Sequence, residues 1–175
     1  MTATVATATT VVPITVEALA AQSDVVAEVL VLRTHSAWDH GLIVTDVELS
    51  VQQWIKGAQT TNMPMVLRTP GGTVGNIGQV IPGVPSLHSG DRVVVFLTRA
   101  DGRNHGHYYL THLTASILPV VATSPVAPSG PTAPALVRPA PLGMITESTP
   151  RALTGFSRAG LTLDQLRLLL QRGSR

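Results

Sequence analysis

The chain has 175 residues, no cysteine, 13% charged residues and a formal net charge of +2. That length fits one domain with extensions, and the missing cysteine excludes disulfides, thiolate metal sites and a cysteine nucleophile. With aromatics at only 3% and no basic run, the composition also argues against a nucleic-acid groove, which needs clustered Lys/Arg and stacking rings.

The first residues, "MTATVATATTVVPITV", are small and apolar and lack the basic segment of a signal peptide. They read as a leader or edge strand, as the start of a mature chain whose signal was removed, or as a signal clipped by a displaced start codon. No apolar run is long enough to span a bilayer. Residues 15–23, "TVEALAAQS", predict a short helix: Thr15 can cap it and Glu17 suits its first turn. Residues 1–23 thus form a leader and short helix.

Valine-rich "DVVAEVLVLR", residues 24–33, predicts a strand, and "GLIVTDVELSVQQWIKG", residues 41–57, a longer one. In the latter, apolar Ile43, Val47, Leu49 and Val51 alternate with Asp46, Glu48 and Ser50, the period of a half-buried antiparallel strand. Between them "HSAWDHG" reads as a hairpin loop with Asp39, His40 and Gly41 at its tip. "MPMVLRTP" (63–70) and "DRVVVFLTR" (91–99) are the third and fourth strands. "HYYLTHLTASILPVV" from His107 is a fifth that breaks near Thr114. Five strands with no helical crossovers predict a mainly β fold, a small antiparallel barrel or sandwich over residues 24–121. Pro125, Pro128, Pro131 and Pro134 then recur every three residues, the period of a polyproline II spacer, so 122–160 reads as a Pro-rich linker. Residues 161–175 predict an amphipathic helix. Thr162 and Gln165 form a capping box, Leu161 and Leu166 a hydrophobic staple, and Leu163, Leu166, Leu169 and Leu170 one apolar stripe. The stripe must pack back on the strands or dock on a partner.

The series "SDVVAEVLVL", "WIKG", "VLRTPGG" and "SGDRVVVFL" resembles the netrin-like module, a group that includes the tissue inhibitors of metalloproteinases. The chain also looks like a group of exported bacterial proteins carrying a "GG…G…VPG…G" loop. The resemblance spans about residues 23–113 and implies a five-stranded OB-like barrel. The inhibitors of that group chelate zinc through an N-terminal cysteine. Without a cysteine that mechanism does not transfer, and neither does any inhibitor residue.

Residues 70–90 form a long Gly/Pro-rich connection. Gly72, Gly75 and Gly78 are spaced by three, but no Gly-Lys-Ser/Thr follows, and Pro82 and Pro85 forbid the helix that a phosphate-binding loop needs. His105 and His107 are the candidate pair should a metal bind, with His112, His35 and His40 in neighbouring segments; solvated loop histidines are the simpler reading. Ser36, His40 and Asp46 can be drawn as a triad, yet no nucleophile elbow exists and the acids are scattered singly. Trp54 reads as core, Trp38 as an exposed aromatic.

The sequence therefore predicts a non-enzymatic binding or protein-interaction module without a cofactor, extracellular or periplasmic. Its contact surface combines Trp38, Asp39 and His40 with Gly71, Gly72, Val74, Ile77 and Val84. A protein partner is favoured over sugar, because Trp38 is the one evident stacking platform. The alternatives are a protease inhibitor with a cysteine-independent mechanism and a metal-dependent hydrolase built on the loop histidines.

Overall fold

The computed structural model describes residues 14–57, 65–99, 106–121, 136–137, 153–154 and 161–172. In chain order these form β1 (Ile14–Thr15), α1 (Val16–Gln22), β2 (Val25–Asp39), β3 (Leu42–Lys56), β4 (Met65–Pro70), β5 (Gly72–Val74), β6 (Ile77–Gln79), β7 (Arg92–Arg99), β8 (His107–Leu110), a 3₁₀ turn (Leu113–Ser116), β9 (Ile117–Val121), β10 (Leu136–Val137), β11 (Leu153–Thr154), β12 (Leu161–Thr162) and α2 (Leu163–Arg172). The fold is mainly β. Among the described residues no helix is long and apolar enough to cross a membrane.

Five strands close into a ring in the order β2-β3-β4-β8-β7 and back to β2. All ring pairings are antiparallel except β4 with β8, which is parallel through Val66↔His107 and Leu67↔Tyr108. The expected all-antiparallel arrangement is corrected at that one seam. β7 forks: Leu97–Arg99 pair with β8 and close the ring, while Val93–Val95 pair with β9 outside it. The single fifth strand of the sequence reading is thus two strands, β8 and β9, parted by the 3₁₀ turn around Thr114.

β2 and β3 are 15 residues each and pair along their whole length with three irregularities. One leaves Leu32 without an opposite residue between Val31↔Leu49 and Arg33↔Glu48. A bulge shifts side-chain parity by one and bends the strand. Before it, Val25, Ala27, Val29 and Val31 face the ring interior and join Val47, Leu49, Met65, Leu67, Val93, Val95, Leu97 and Tyr108 in the main core. After it the even positions Thr34, Ser36 and Trp38 lie opposite Val47, Thr45 and Ile43.

A second core lies on the outside of the ring. Val26, Val94, Phe96 and Leu118 cluster with Val16, Leu19 and Ala20 of α1 and with Leu166 of α2. Both faces of β2 and β7 are therefore covered, which is why they read as unbroken apolar runs rather than alternating ones. α1 is capped by Thr15, whose hydroxyl accepts from the Ala18 amide at 3.2 Å. α2 carries the reciprocal capping box: the Thr162 amide donates to Gln165 Oε1 at 2.9 Å, and the Gln165 amide to Thr162 Oγ1 at 3.1 Å. The leucine stripe of α2 packs back on the sheet.

The "WIKG" run has a structural reason. Trp54 packs on the inner core and Ile55 on the outer one. Lys56 Nζ donates to the carbonyls of Ala20 at 2.6 Å and Ser23 at 2.7 Å, at the C-terminal end of α1. A cation there satisfies carbonyls that the helix leaves unpaired. Gly57 turns the chain at φ 65° against the Asp24 carbonyl.

The four prolines at 125–134 lie outside the described residues. Within 122–160, Leu136–Val137 pairs antiparallel with β9 and β12, and Leu153–Thr154 pairs parallel with β1.

Candidate functional site

The site region is the end of the ring where the β2–β3 hairpin meets residues 71–90. The expected loop "HSAWDHG" is not a loop. Pairing continues to Asp39↔Leu42, and only His40 and Gly41 form the turn, with φ of 49° and 85°. Two successive positive φ values are those of a type I′ turn, which matches the twist of long paired strands. The polar residues that signal a loop in the sequence, Ser36 and Asp39 among them, have partners on neighbouring strands. Arg68 is one such partner. Its Nε and Nη2 donate to Asp46 at 2.7 and 2.8 Å, and its Nη1 to Asp39 at 3.2 Å.

Residues 71–90 are not structureless either. β5 and β6 pair as a small hairpin through Gly72↔Gln79 and Val74↔Ile77. This flap is pinned at several points. The Gly71 amide donates to the Ile43 carbonyl and the Ile43 amide to Gln79 Oε1, both at 2.7 Å. Thr45 Oγ1 donates to the Gly71 carbonyl at 2.6 Å. The Thr114 hydroxyl donates to the Gly83 carbonyl. Ser89 Oγ donates to the Leu32 carbonyl at 2.6 Å, and the Gly90 amide to that of Val31 at 2.9 Å. Gly72 lies so close to β2 and β3 that a Cβ there would stand 2.3 Å from Thr45 Oγ1 and 2.5 Å from Ser36 Oγ. The glycine is required by contact as well as by its φ of 135°.

Beneath the flap is a cleft of about 360 Å³. Thr34, Ser36, Thr45 and Thr69 line it from the ring, and Gly71, Gly72, Thr73, Gln79 and Val84 from the flap. A larger space of about 740 Å³ lies on the flap's other side, where Ile81, Pro82 and Val84 oppose Val93, Ile117 and Pro119.

The predicted contact residues divide between these surfaces. Gly71, Gly72 and Val84 line the cleft. Val74 is half-buried, while Ile77 is exposed at the hairpin tip. Trp38 is 52% exposed. Asp39 is engaged by both His40, at 2.6 Å, and Arg68. Sequence reasoning missed Thr34, Thr45, Thr69 and Gln79, and offered Ser36 only as a triad member and not as a cleft residue. For Thr34 and Ser36 a signal was present as hydroxyls at alternate positions of a strand-like run, but the bulge at Leu32 concealed which face they share; Thr45, Thr69 and Gln79 carry no such pattern.

His105 lies outside the described residues. His107 is on β8, half-buried, with Nε2 at 3.7 Å from Asp46 and a buried Nδ1 without a hydrogen-bond partner. No group of three or more metal-ligating side chains occurs among the described residues. Ser36 and Asp46 do not form a triad with His40: Ser36 Oγ bonds Thr45 Oγ1, and Asp46 bonds Arg68.

Hydrogen bonds from Arg68 hold the Asp46 carboxyl below the usual carboxylate range, against the opposing effect of partial burial. A carboxyl with a lowered folded-state pKa stabilises above its unfolded value near 3.9, and the stabilisation is lost as pH falls through the folded value. Asp46→Asn should therefore cost about 1 kcal/mol at neutral pH, a figure kept small because the pair is partly solvated. Urea unfolding of both proteins checks this. The difference in midpoint should shrink as the pH falls below about 4, and a difference independent of pH would remove the ion pair from the account.

Comparison with family models, curated proteins and solved structures finds no match to this chain.

Proposed function

We propose that the ring is an OB-like barrel of the netrin-like kind. It acts as a non-enzymatic protein-binding module outside the cytoplasm, in the periplasm or extracellular space. The ring order β2-β3-β4-β8-β7, with its one parallel seam between β4 and β8, supports the OB-like reading. Counted along the chain, this is the order one-two-three-five-four.

The observation that carries the binding role is where large apolar side chains reach solvent. Of seven such residues among those described, three are on the two hairpins at one end of the ring, Trp38, Leu42 and Ile77, and a fourth, Val80, directly follows β6. Val80 is 89% exposed. The two hairpins touch through Gly71, Gln79 and Ile43, so these side chains crown one end. Apolar residues grouped in this way, with an aromatic among them, mark protein contact surfaces. The pinned flap presents them preformed, which limits the ordering cost of binding.

Affinity capture from the native envelope or secreted fraction tests this, using wild type, a Trp38→Ser/Val80→Ser double variant and a Leu168→Ser control on α2. The expected result is a partner held by wild type and control and lost from the double variant. If the folded double variant captures the same partner in the same amount, the hairpin end is not the interface.

A further inference from the structure

The cleft under the flap has a chemistry distinct from the apolar crown. Among the described residues it is lined by no aspartate, glutamate, lysine or arginine; the only titratable side chain of that lining is His88, which is 77% exposed. An anion or cation entering it would lose water without gaining a counter-charge, which is unfavourable. The occupant is therefore neutral.

The hydrogen-bond directions define it further. Thr45 has one hydroxyl proton, and it goes to the Gly71 carbonyl. Ser36 Oγ, 2.8 Å from Thr45 Oγ1, must then be the donor of that pair, which leaves its oxygen with acceptor capacity only. Gln79 spends its Oε1 on the Ile43 amide and keeps its NH₂ as a donor. The hydroxyls of Thr34 and Thr73, on opposite walls of the cleft, have no partner among the described residues and can do either. Val47, Val84 and Leu87 supply apolar wall. Mixed donors and acceptors, an apolar wall and a volume of about 360 Å³ at the small end of ligand sites match one ligand class.

We propose that this cleft binds a neutral sugar of monosaccharide size. The ligand is either free or the terminal unit of a glycan; its hydroxyls bond Ser36, Gln79, Thr34 and Thr73, and its C–H face rests on the apolar wall.

The test is titration of the full chain, followed by NMR or calorimetry, with glucose, galactose, mannose and N-acetylglucosamine. Glucuronate and glucose 6-phosphate serve as charged counterparts, and a methyl glycoside stands for the glycan-linked form. The same titrations are run on Thr34→Val and Thr73→Val, near-isosteric changes that remove hydroxyls with no partner among the described residues; a melting curve confirms that both fold. At least one neutral sugar should bind saturably. Its charged counterparts should bind at least about tenfold more weakly, and each valine variant should bind about fivefold more weakly, the loss of one hydrogen bond. Equal binding of free sugar and methyl glycoside assigns the glycan-linked form as a ligand; binding of the free sugar alone assigns the free one. The proposal is overturned if no neutral sugar binds saturably up to about 10 mM, a weak-affinity limit. It is equally overturned if the charged sugars bind as well, or if both valine variants bind like wild type.

Discussion

Phe96→Ala should be among the most destabilising single changes at the described residues, costing about 3–5 kcal/mol. Phe96 is fully buried on the outer face of β7. It lies opposite Val26 of β2 and in one cluster with Leu19 of α1 and Leu166 of α2. Truncation opens a cavity where two helices and two strands meet, and the strands cannot close over it because they are fixed in the ring. For a chain of this size the melting temperature should fall by roughly 10 °C. Amide exchange gives the sharper readout. Protection in α1 and α2 should fall far more than in β3 and β4, whose core is on the other side of the sheet. A loss below about 1 kcal/mol, the size of an ordinary surface change, would mean that the helices are not held through Phe96.

Gly57→Ala should cost about 2–4 kcal/mol, from strain at a positive φ together with a clash that has no easy relief. A Cβ at Gly57 would stand 2.2 Å from the Asp24 carbonyl oxygen. Asp24 cannot retreat: its amide donates to the Leu97 carbonyl at 2.9 Å, and its carboxylate accepts from the Arg99 amide at 2.8 Å. The preceding Lys56 bonds the end of α1, so the strain also loosens that helix. Denaturant unfolding checks this. Lys56→Met, which removes the carbonyl contacts but not the backbone fit, should cost less, about 1–2 kcal/mol. If Gly57→Ala proves milder than Lys56→Met, the "KG" pair acts through its charge and not through its backbone.

Much of the fold was legible because the elements announce themselves locally. Thr15 and Thr162 cap helices that begin where the sequence places them, and the valine runs are strands. The parallel seam between β4 and β8 was not legible, since it depends on which strand edge remains free after residues distant in sequence have paired. The site was half legible. The length and glycine content of residues 70–90 marked a special segment, but Gly75 and Asn76 turn a hairpin there that is held by Gln79 and Thr45, residues with no distinguishing pattern of their own. Trp38 stood out by type. Ser36 and Thr34 did not, because a one-residue bulge at Leu32 decides whether they face the cleft or the solvent. The ion pairs of Arg68 depend on strand register, placing Asp46 opposite it, and no sequence spacing encodes that.

The most direct test of the binding role is site-resolved photo-crosslinking in the cells that make the protein. A photoreactive phenylalanine analogue is placed at position 38, 80 or 168 in turn. Positions 38 and 80 should crosslink to the same partner protein, and position 168, on the helix packed against the other side of the ring wall, should not. Crosslinks from 168 with none from 38 or 80 would place the interface on α2 and contradict the assignment of the two hairpins as the contact surface.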